Sequence, residues 1–171
     1  MPIFLIGYMA SGKSTIGNDL SHIMNAPFVD LDTLIEQEIG LDICDIFHQK
    51  GEHFFRKQEQ YYLTTLTYTQ NMIVAVGGGT PCFFDNMHFM NTVGLTIYLK
   101  VSCEELVNRL QFSNSRPMLF NKKVNLQDLV KEQLIEREKY YQKSQYIIES
   151  DSISIAQVSQ VLKQYYEEFE N

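Results

Sequence analysis

Long apolar runs, excess basic charge and clustered cysteines are all missing from this sequence of 171 residues. No apolar stretch approaches the roughly 18 residues that cross a bilayer. No basic segment precedes the first apolar run, so we expect a cytoplasmic protein. Lys and Arg number 14 against 21 Asp and Glu, for a net charge of -7. Nucleic-acid binding needs a basic face, which this charge balance does not indicate, so we expect no nucleic-acid partner. We also expect no membrane partner, because no apolar stretch is long enough to span a bilayer.

The cysteines are too few and too scattered to form a framework. Cys44, Cys82 and Cys103 are odd in number, form no C-x-x-C pair and do not cluster with the four histidines. This spacing argues against disulfides and structural zinc and favours a reducing compartment. The remaining composition, 44% apolar and 20% charged, is that of a globular protein. The length suits one domain, which we predict to span residues 1–171.

Short apolar runs alternate with longer segments of helical periodicity along the chain. This alternation is typical of a parallel β-sheet whose strands are connected by helices. We therefore predict an α/β fold, a three-layer sandwich with a five-stranded parallel sheet. The predicted strands are Ile3 to Ile6, Phe28 to Leu31, Met72 to Val76, Leu95 to Leu99 and Tyr146 to Glu149.

Several predicted helices have recognisable ends. Gly40 and Gly51 are expected to end short helices over Thr33 to Ile39 and Asp42 to Lys50. The spacing of a capping box predicts two later helix starts, at Ser102 with Glu105 and at Ser154 with Gln157. Between the later helices, residues 112–125 are polar and helix-poor. A connection of this length in a compact domain is typical of a functional lid.

The segment from Gly7 to Ser14 fits the pattern G-x-x-x-x-G-K-[ST]. It follows a predicted strand and precedes a predicted helix, Thr15 to Met24, which is the context that this motif requires. Backbone N–H groups and the helix N-terminus would face phosphate, Lys13 would reach the outer phosphates, and Ser14 can bind magnesium. We predict a nucleotide site formed by Ala10, Ser11, Gly12, Lys13, Ser14 and Thr15.

Two absences narrow the class of nucleotide-binding protein. The later apolar strand ends in Gly77-Gly78-Gly79, where a motor ATPase would place an acidic residue. The guanine signature N-K-x-D is also missing, since Asn121 to Val124 fails at its last position. These absences disfavour GTPases and motors and favour a small phosphotransferase.

Two carboxylates follow the second predicted strand, Asp30 and Asp32. If the strand continues, alternation places both on one face, at the sheet edge where ligands bind in open α/β folds. One could order the waters of magnesium while the other accepts a proton or hydrogen bond from an attacking hydroxyl. The alternative is that Asp32 only caps the helix that starts at Thr33.

Six short motifs follow one another along about residues 3 to 150. They are the phosphate loop, Asp30-Leu31-Asp32, Glu52 to Arg56 followed by Glu59, Gly77 to Gly79, Arg116-Pro117 and Arg137. Each motif is weakly specific alone, but together, in their order and at close to their spacings, the six resemble the shikimate kinase family. The resemblance implies the fold of P-loop nucleoside triphosphate hydrolases, of the nucleoside monophosphate kinase type. It also implies a helical substrate-binding segment at about 33–62 and a mobile lid at about 112–125.

The resemblance further implies a reaction. It is ATP-dependent phosphorylation of the 3-hydroxyl of shikimate, giving 3-phosphoshikimate and ADP, with Mg²⁺ as cofactor, in aromatic amino-acid biosynthesis. The family suggests a monomer. Two alternatives stay open: another P-loop kinase of small metabolites, of the gluconate or nucleoside monophosphate type, and a nucleotide-binding regulatory module without turnover.

Roles are carried over from the family onto matching positions. Asp32 would hydrogen-bond the attacking hydroxyl and be catalytic together with Lys13 and Arg116. Asp30 would hold Mg²⁺ through water beside Ser14. Substrate binding is implied for Arg56, Arg137, Gly78 and Gly79, and ATP binding for Arg109, Arg116 and Ser154. Planar guanidinium groups suit a carboxylate, and glycine allows close approach to the backbone, so the chemistry agrees independently.

Some of these positions have a second interpretation. Phe47 and Phe55 could line the substrate pocket, although core packing explains either of them. Glu59 could orient Arg56 or form a solvent-exposed ion pair with it. Arg109 and Arg137 could instead lie on exposed helix faces. Ala10 stands where the family often has glycine, and we expect its methyl group to be tolerated if its φ is negative.

Overall fold

One parallel sheet organises the chain. The computed structural model describes residues 1–112 and 125–169. The sheet has the strand order β2-β3-β1-β4-β5, with parallel pairing throughout. Its strands are β1 (Ile3–Ile6), β2 (Phe28–Asp30), β3 (Ile73–Ala75), β4 (Leu95–Lys100) and β5 (Tyr146–Glu149). The predicted five-stranded parallel sheet is confirmed.

Helices connect these strands and cover both faces of the sheet. A short 3₁₀ turn, Thr80–Cys82, follows the glycines at 77–79. The helices of the described residues are α1 (Lys13–Met24), α2 (Leu31–Ile39), α3 (Ile43–Lys50), α4 (Glu52–Thr65), α5 (Asn86–Val93), α6 (Cys103–Gln111), α7 (Leu126–Tyr141) and α8 (Ile155–Phe169). The predicted helical segment at 33–62 corresponds to α2, α3 and α4.

Two apolar clusters, one on each face of the sheet, give the three layers. Alternation along β1 sends Ile3 and Leu5 to one face and Phe4 and Ile6 to the other. The first cluster includes side chains of α1 and α8, and the second takes side chains from α2, α4, α5, α6 and α7. Each fully buried aliphatic side chain contributes about 1.5–3 kcal/mol, so these two clusters hold the sheet between its helices.

The second strand is shorter than the sequence predicts. It ends at Asp30, whose Oδ1 accepts hydrogen bonds from the backbone N–H groups of Asp32 and Thr33, at 3.1 and 3.3 Å. Asp30 is thus the N-cap of α2, and the helix starts at Leu31 rather than at Thr33. The expected continuation of the strand through Leu31 is therefore wrong, because a side-chain cap turns the chain into a helix first.

Only one of the two capping boxes is complete. At α8, Ser154 Oγ accepts from the Gln157 N–H at 3.4 Å, and Gln157 Oε1 accepts from the Ser154 N–H at 2.8 Å. At α6, Ser102 Oγ accepts from the Glu105 N–H at 3.2 Å, but the Ser102 N–H donates to Asp151. The Glu105 side chain instead pairs with Arg109, because that partner is charged.

Within residues 1–112 and 125–169, no helix combines the length and the apolarity that crossing a membrane requires. The predicted lid at 112–125 lies outside the described residues except at its two ends, so it stays a prediction.

Candidate active site

A cavity of about 1150 Å³ opens at the carboxyl ends of β1, β2 and β3. It is lined by the phosphate loop, by residues of α2 and α4, by the glycines at 77–79 and by α6 and α7. Most of the predicted site residues meet there: Ala10, Gly12, Lys13, Ser14, Thr15, Asp30, Asp32, Arg56, Gly78, Gly79, Arg109 and Arg137. One cavity therefore brings the predicted nucleotide and substrate residues together.

Two predicted residues do not line the cavity with their side chains, and a third is not among the described residues. The Ser11 side chain is buried beneath the phosphate loop, so only its backbone can serve a ligand in the cavity. Ser154 is exposed, takes part in the cap of α8, and does not line the cavity in the described part of the chain. Arg116 lies outside the described residues, so its role stays a prediction.

The phosphate loop connects β1 to α1 in the form that its motif predicts. Gly12 has a φ of 96°, a conformation that glycine adopts without strain, and directly precedes α1. Lys13 is 9% exposed, and its Nζ donates to the carbonyl oxygens of Gly7 and Tyr8, both at 2.9 Å. The ammonium group is thus held at the mouth of the loop, where the helix N-terminus adds positive potential.

Ala10 does not have the negative φ on which its tolerance was expected to depend. Its φ is 63°, in the left-handed region. A side chain there costs about 1–2 kcal/mol relative to the right-handed conformation, because Cβ approaches the following carbonyl oxygen. The expectation is therefore wrong in its premise: the loop imposes a conformation that favours glycine.

Replacing Ala10 with glycine should stabilise the protein. The relief of strain exceeds the added flexibility of the unfolded chain, so we expect about 0.5–1 kcal/mol more unfolding free energy. This corresponds to a Tm increase of about 2 °C in a scanning calorimeter. Ala26, which lies outside the left-handed region, is the matched control, and Ala26→Gly should lower the Tm. A decrease of similar size in Ala10→Gly would contradict the assignment of strain.

Asp30 and Asp32 both line the cavity, but for a different reason from strand alternation. Asp30 ends β2, and Asp32 lies in the first turn of α2. While Oδ1 of Asp30 caps α2, its Oδ2 accepts a hydrogen bond from Ser14 Oγ at 2.5 Å. The alternative in which Asp32 is only a cap is also wrong, because Asp30 has that role.

The oxygens of Ser14 and Asp30 suit magnesium. A hydroxyl and a carboxylate are hard donors of the kind that Mg²⁺ prefers, and their contact brings them to one point beside the phosphate loop. In the described residues no three His, Cys, Asp or Glu side chains cluster as a metal site. A magnesium ion here would therefore depend on water and phosphate oxygens for its other ligands, as Mg²⁺ usually does.

A buried ion pair fixes the first of the two predicted substrate arginines. Arg56 is 8% exposed, and its Nη1 lies 2.6 Å from Oε2 of Glu59, which is fully buried. Glu52 bonds the other edge of the guanidinium, with contacts at 3.1 and 3.2 Å. The interpretation of Glu59 as a solvent-exposed partner is wrong; its carboxylate lies beneath Arg56 and orients it.

Burial and the neighbouring charges shift the pKa values of both members of this pair. Desolvation raises the pKa of Glu59 above its usual range, against the opposing effects of Arg56 and of a hydrogen bond from Thr80. Burial alone would lower the pKa of Arg56, but the two glutamates raise it above its usual value. Arg56 is therefore a permanent cation in the wall of the cavity.

Three aromatic rings surround the same guanidinium. Its Cζ lies 5.7 Å from the ring centre of Phe47, 5.4 Å from that of Phe55 and 4.5 Å from that of Phe83. Phe47 and Phe55 both line the cavity, and they also pack on each other in the core, so neither interpretation of these residues excludes the other. Ion pairs and rings together leave Arg56 little rotational freedom.

Arg137 occupies a different setting on α7. Its Cζ lies 5.3 Å from the ring centre of Tyr8, within the phosphate loop. A side chain at Gly78 would come within 3.2 Å of the Met9 nitrogen and 3.5 Å of Arg137 Nη1, which leaves little room for any residue but glycine. The Tyr141 hydroxyl donates to the Gly78 carbonyl oxygen and fixes this backbone. Arg137 and Gly78 therefore form one wall of the cavity.

Arg109 is held by three oxygens instead of lying free on a helix face. Its Nε pairs with Glu105 at 2.7 Å, its Nη1 donates to the Ala10 carbonyl at 3.1 Å, and its Nη2 donates to the Asp151 carbonyl. The side chain thus connects α6 to the phosphate loop and to the loop after β5.

Sequence reasoning missed three residues that shape the site: Tyr8, Thr80 and Phe83. Tyr8 occupies a position that the phosphate-loop motif leaves variable, and its ring supports Arg137. Thr80 follows the glycine run directly and donates to Glu59. That adjacency was a usable signal, whereas the stacking of Phe83 on Arg56 depends on tertiary packing alone.

Comparisons with known proteins agree with this geometry. The sequence profile described as "Shikimate kinase" matches residues 9–168. Shikimate kinase of Parabacteroides distasonis is 38% identical over 153 residues, which cover 88% of each chain. The chain belongs to the shikimate kinase family. Crystallised shikimate kinase from Bacteroides thetaiotaomicron superposes with a TM-score of 0.87 at 35% identity, covering 100% of this chain and 99% of that one.

A third relative carries a ligand. Shikimate kinase from Acinetobacter baumannii, solved in complex with shikimate, has a TM-score of 0.87 at 29% identity, with 98% of this chain and 93% of that one covered. Family membership confirms the predicted fold and activity: the chain is a kinase that phosphorylates shikimate in aromatic amino-acid biosynthesis. The alternatives of a different small-metabolite kinase and of a regulatory module without turnover are thereby set aside.

Proposed function

We propose that this shikimate kinase transfers the γ-phosphoryl group of ATP to the 3-hydroxyl of shikimate, with the residue roles that follow. The observation that carries the assignment is that one cavity joins the phosphate loop to the arginines Arg56 and Arg137 and to the carboxylates of Asp30 and Asp32. The cationic loop suits a polyphosphate, and the arginines suit an acceptor that bears a carboxylate.

The donor half of the cavity would hold ATP. The backbone from Ala10 to Thr15 surrounds the phosphates, and Lys13 leaves the Gly7 and Tyr8 carbonyls to reach the outer ones. Arg109 contacts adenine beside the phosphate loop, and Arg116 closes onto the phosphates from the lid. We also assign Ser154 to ATP binding, although its hydroxyl takes part in the cap of α8.

The acceptor half would hold shikimate. Arg56 and Arg137 bind its carboxylate, Gly78 offers a backbone N–H, and Gly79 allows the ring to approach closely. Asp32 accepts a hydrogen bond from the attacking hydroxyl. Because Arg56 is fixed by ion pairs and rings, the carboxylate meets a preorganised partner, and binding costs little side-chain entropy.

Phosphoryl transfer has a loose transition state, so alignment and charge neutralisation matter more than base strength. Asp32 orients the hydroxyl and takes its proton late in the transfer. Lys13 and Arg116 stabilise the charge on the transferring group. Ser14 and Asp30 would hold Mg²⁺, Asp30 through water, and the bound ion would supply further charge neutralisation.

A single assay tests this proposal. ADP release from ATP is measured with shikimate and with gluconate, AMP and quinate as control acceptors, with Mg²⁺ present and then removed by chelation. Release only with shikimate and Mg²⁺, together with phosphorus NMR that places the new ester at the 3-position, supports it. Release without Mg²⁺, or an ester at another hydroxyl, contradicts it.

Replacing Arg56 with lysine should weaken shikimate binding selectively. Lysine keeps the positive charge opposite Glu59 but loses the planar pair of donors, so we expect the KM for shikimate to rise about tenfold or more. Steady-state kinetics in both substrates provide the check, and the KM for ATP, expected to change less than about twofold, is the internal control. Equal increases in both KM values would contradict a carboxylate clamp.

We further propose that the enzyme acts in the cytoplasm and as a monomer. All three cysteines are free thiols, which fits a reducing compartment where ATP is available. Light scattering on the purified protein tests the monomer, and a stable dimer at micromolar concentration would contradict it.

A further inference from the structure

Thr80 is the residue of the site to which neither the motifs nor the proposed roles assign a task. It is fully buried, at the start of the 3₁₀ turn that follows the glycine run. Its backbone N–H donates to the Gly77 carbonyl at 3.1 Å, and its own carbonyl accepts from Asn86 Nδ2 at 2.9 Å. Asn86 is also buried. The backbone of Thr80 is therefore fixed from both sides.

That hydroxyl donates to Oε1 of Glu59, across 21 residues of sequence. The other oxygen of the same carboxylate, Oε2, accepts from Arg56 at 2.6 Å. A continuous chain of contacts thus runs from the glycine loop through Thr80 and Glu59 to the guanidinium. No substrate atom needs to touch Thr80 for it to influence where Arg56 points.

The surroundings of Glu59 make this donor important. A Cβ placed on Gly77 would lie 2.6 Å from both Asp32 Oδ1 and Glu59 Oε1, so two carboxylates approach the same point of the buried backbone. Arg56 forms its ion pair with only one oxygen of Glu59, Oε2. A neutral donor on the other oxygen satisfies the buried carboxylate there, because an unpaired polar atom in a buried site is costly.

We propose that Thr80 is a positioning residue for shikimate: its hydroxyl holds the Glu59 carboxylate, and through it the Arg56 guanidinium, in the orientation that receives the substrate carboxylate. This inference rests on the proposed role of Arg56 as a carboxylate clamp. It adds that the glycine loop and α4 are connected by a side chain, so that the backbone facing the substrate and the arginine that binds it keep a fixed separation.

The test uses two replacements at this position in the full-length enzyme. Thr80→Val keeps the shape and removes the hydroxyl, and we expect the KM for shikimate to rise about fivefold to tenfold while the KM for ATP and kcat change less than about twofold. Thr80→Ser restores the hydroxyl and should return the KM to within about twofold of the parent. Thr64→Val is the matched control, since Thr64 lies on the exposed side of α4 and bonds only backbone carbonyls of its own helix.

A double-mutant cycle separates positioning from general loosening of the fold. In a Glu59→Gln background, Thr80→Val should add less than about twofold to the KM for shikimate, because its route to Arg56 is already altered. Full additivity, or equal defects in Thr80→Ser and Thr80→Val, would overturn the inference. If Thr80→Val left the KM unchanged while Arg56→Lys raised it, the inference would fail and the clamp would stand. If Arg56→Lys also had no effect, the proposed clamp itself would fail.

Discussion

Replacing Lys13 with methionine should lower kcat by about 10²–10³-fold. The ammonium group is the one side-chain cation of the described residues held within the phosphate loop. Its proposed role is to meet the charge that develops on the transferring phosphoryl group. Removing a preorganised partner of that charge costs about this factor in other active sites. Methionine is unbranched and of similar length, so the shape of the loop should survive.

Steady-state ADP release at saturating shikimate measures this loss, and calorimetric titration with ATP measures the accompanying loss of affinity. Lys57→Met is the matched control, because Lys57 lies exposed on α4 and does not line the cavity. It should keep the parental rate. A Lys13→Met enzyme that retained more than about a tenth of the parental kcat would show that the phosphate charge is neutralised elsewhere.

Replacing Asp32 with asparagine should also affect turnover strongly, with little change in shikimate affinity. An amide still accepts a hydrogen bond from the attacking hydroxyl, but it cannot take the proton, and general base catalysis contributes about 10²–10⁴-fold. Because the transition state is loose, we expect the lower end, about 10²-fold in kcat. The KM for shikimate should change less than about threefold.

The informative comparison is with Asp19→Asn, an exposed aspartate on α1 that should have no effect on either constant. Both variants are first checked for a Tm close to that of the parent enzyme. Their ADP release is then measured across shikimate concentrations. Near-parental kcat in Asp32→Asn would mean that its charge is dispensable. A large rise in KM with unchanged kcat would reassign Asp32 from the reaction to simple substrate binding.

The sequence predicts those parts of the site that depend on local spacing. The phosphate loop, the sheet and most helix ends follow from motif, apolar alternation and caps, all of which act over a few residues. Asp30 shows the limit of that reasoning. One oxygen of its carboxylate caps α2, and the other accepts a hydrogen bond from Ser14. The second contact depends on the fold, because Ser14 is distant from Asp30 along the chain. Strand alternation placed Asp32 in the right cavity for the wrong reason.

Whether a charged side chain is buried could not be predicted from the sequence. Glu59 is one helical step from Arg56 in any α-helix, yet whether that pair meets water or Thr80 depends on the 3₁₀ turn packing against α4. The φ of Ala10 is likewise set by the geometry of the whole loop. Both properties emerge only when elements distant along the chain come together.

The elements beside the two halves of the cavity differ in how many of their residues are buried. β1, which leads into the phosphate loop, is the central strand, bonded on both sides, and all four of its residues are buried. α3, beside the acceptor half, spans eight residues and buries only Ile46 among them. Local unfolding is easiest where few apolar contacts resist it. Amide hydrogens of α3 should therefore exchange with solvent well before those of β1, so the enzyme combines a rigid anchor for the nucleotide with an adjustable wall for the acceptor.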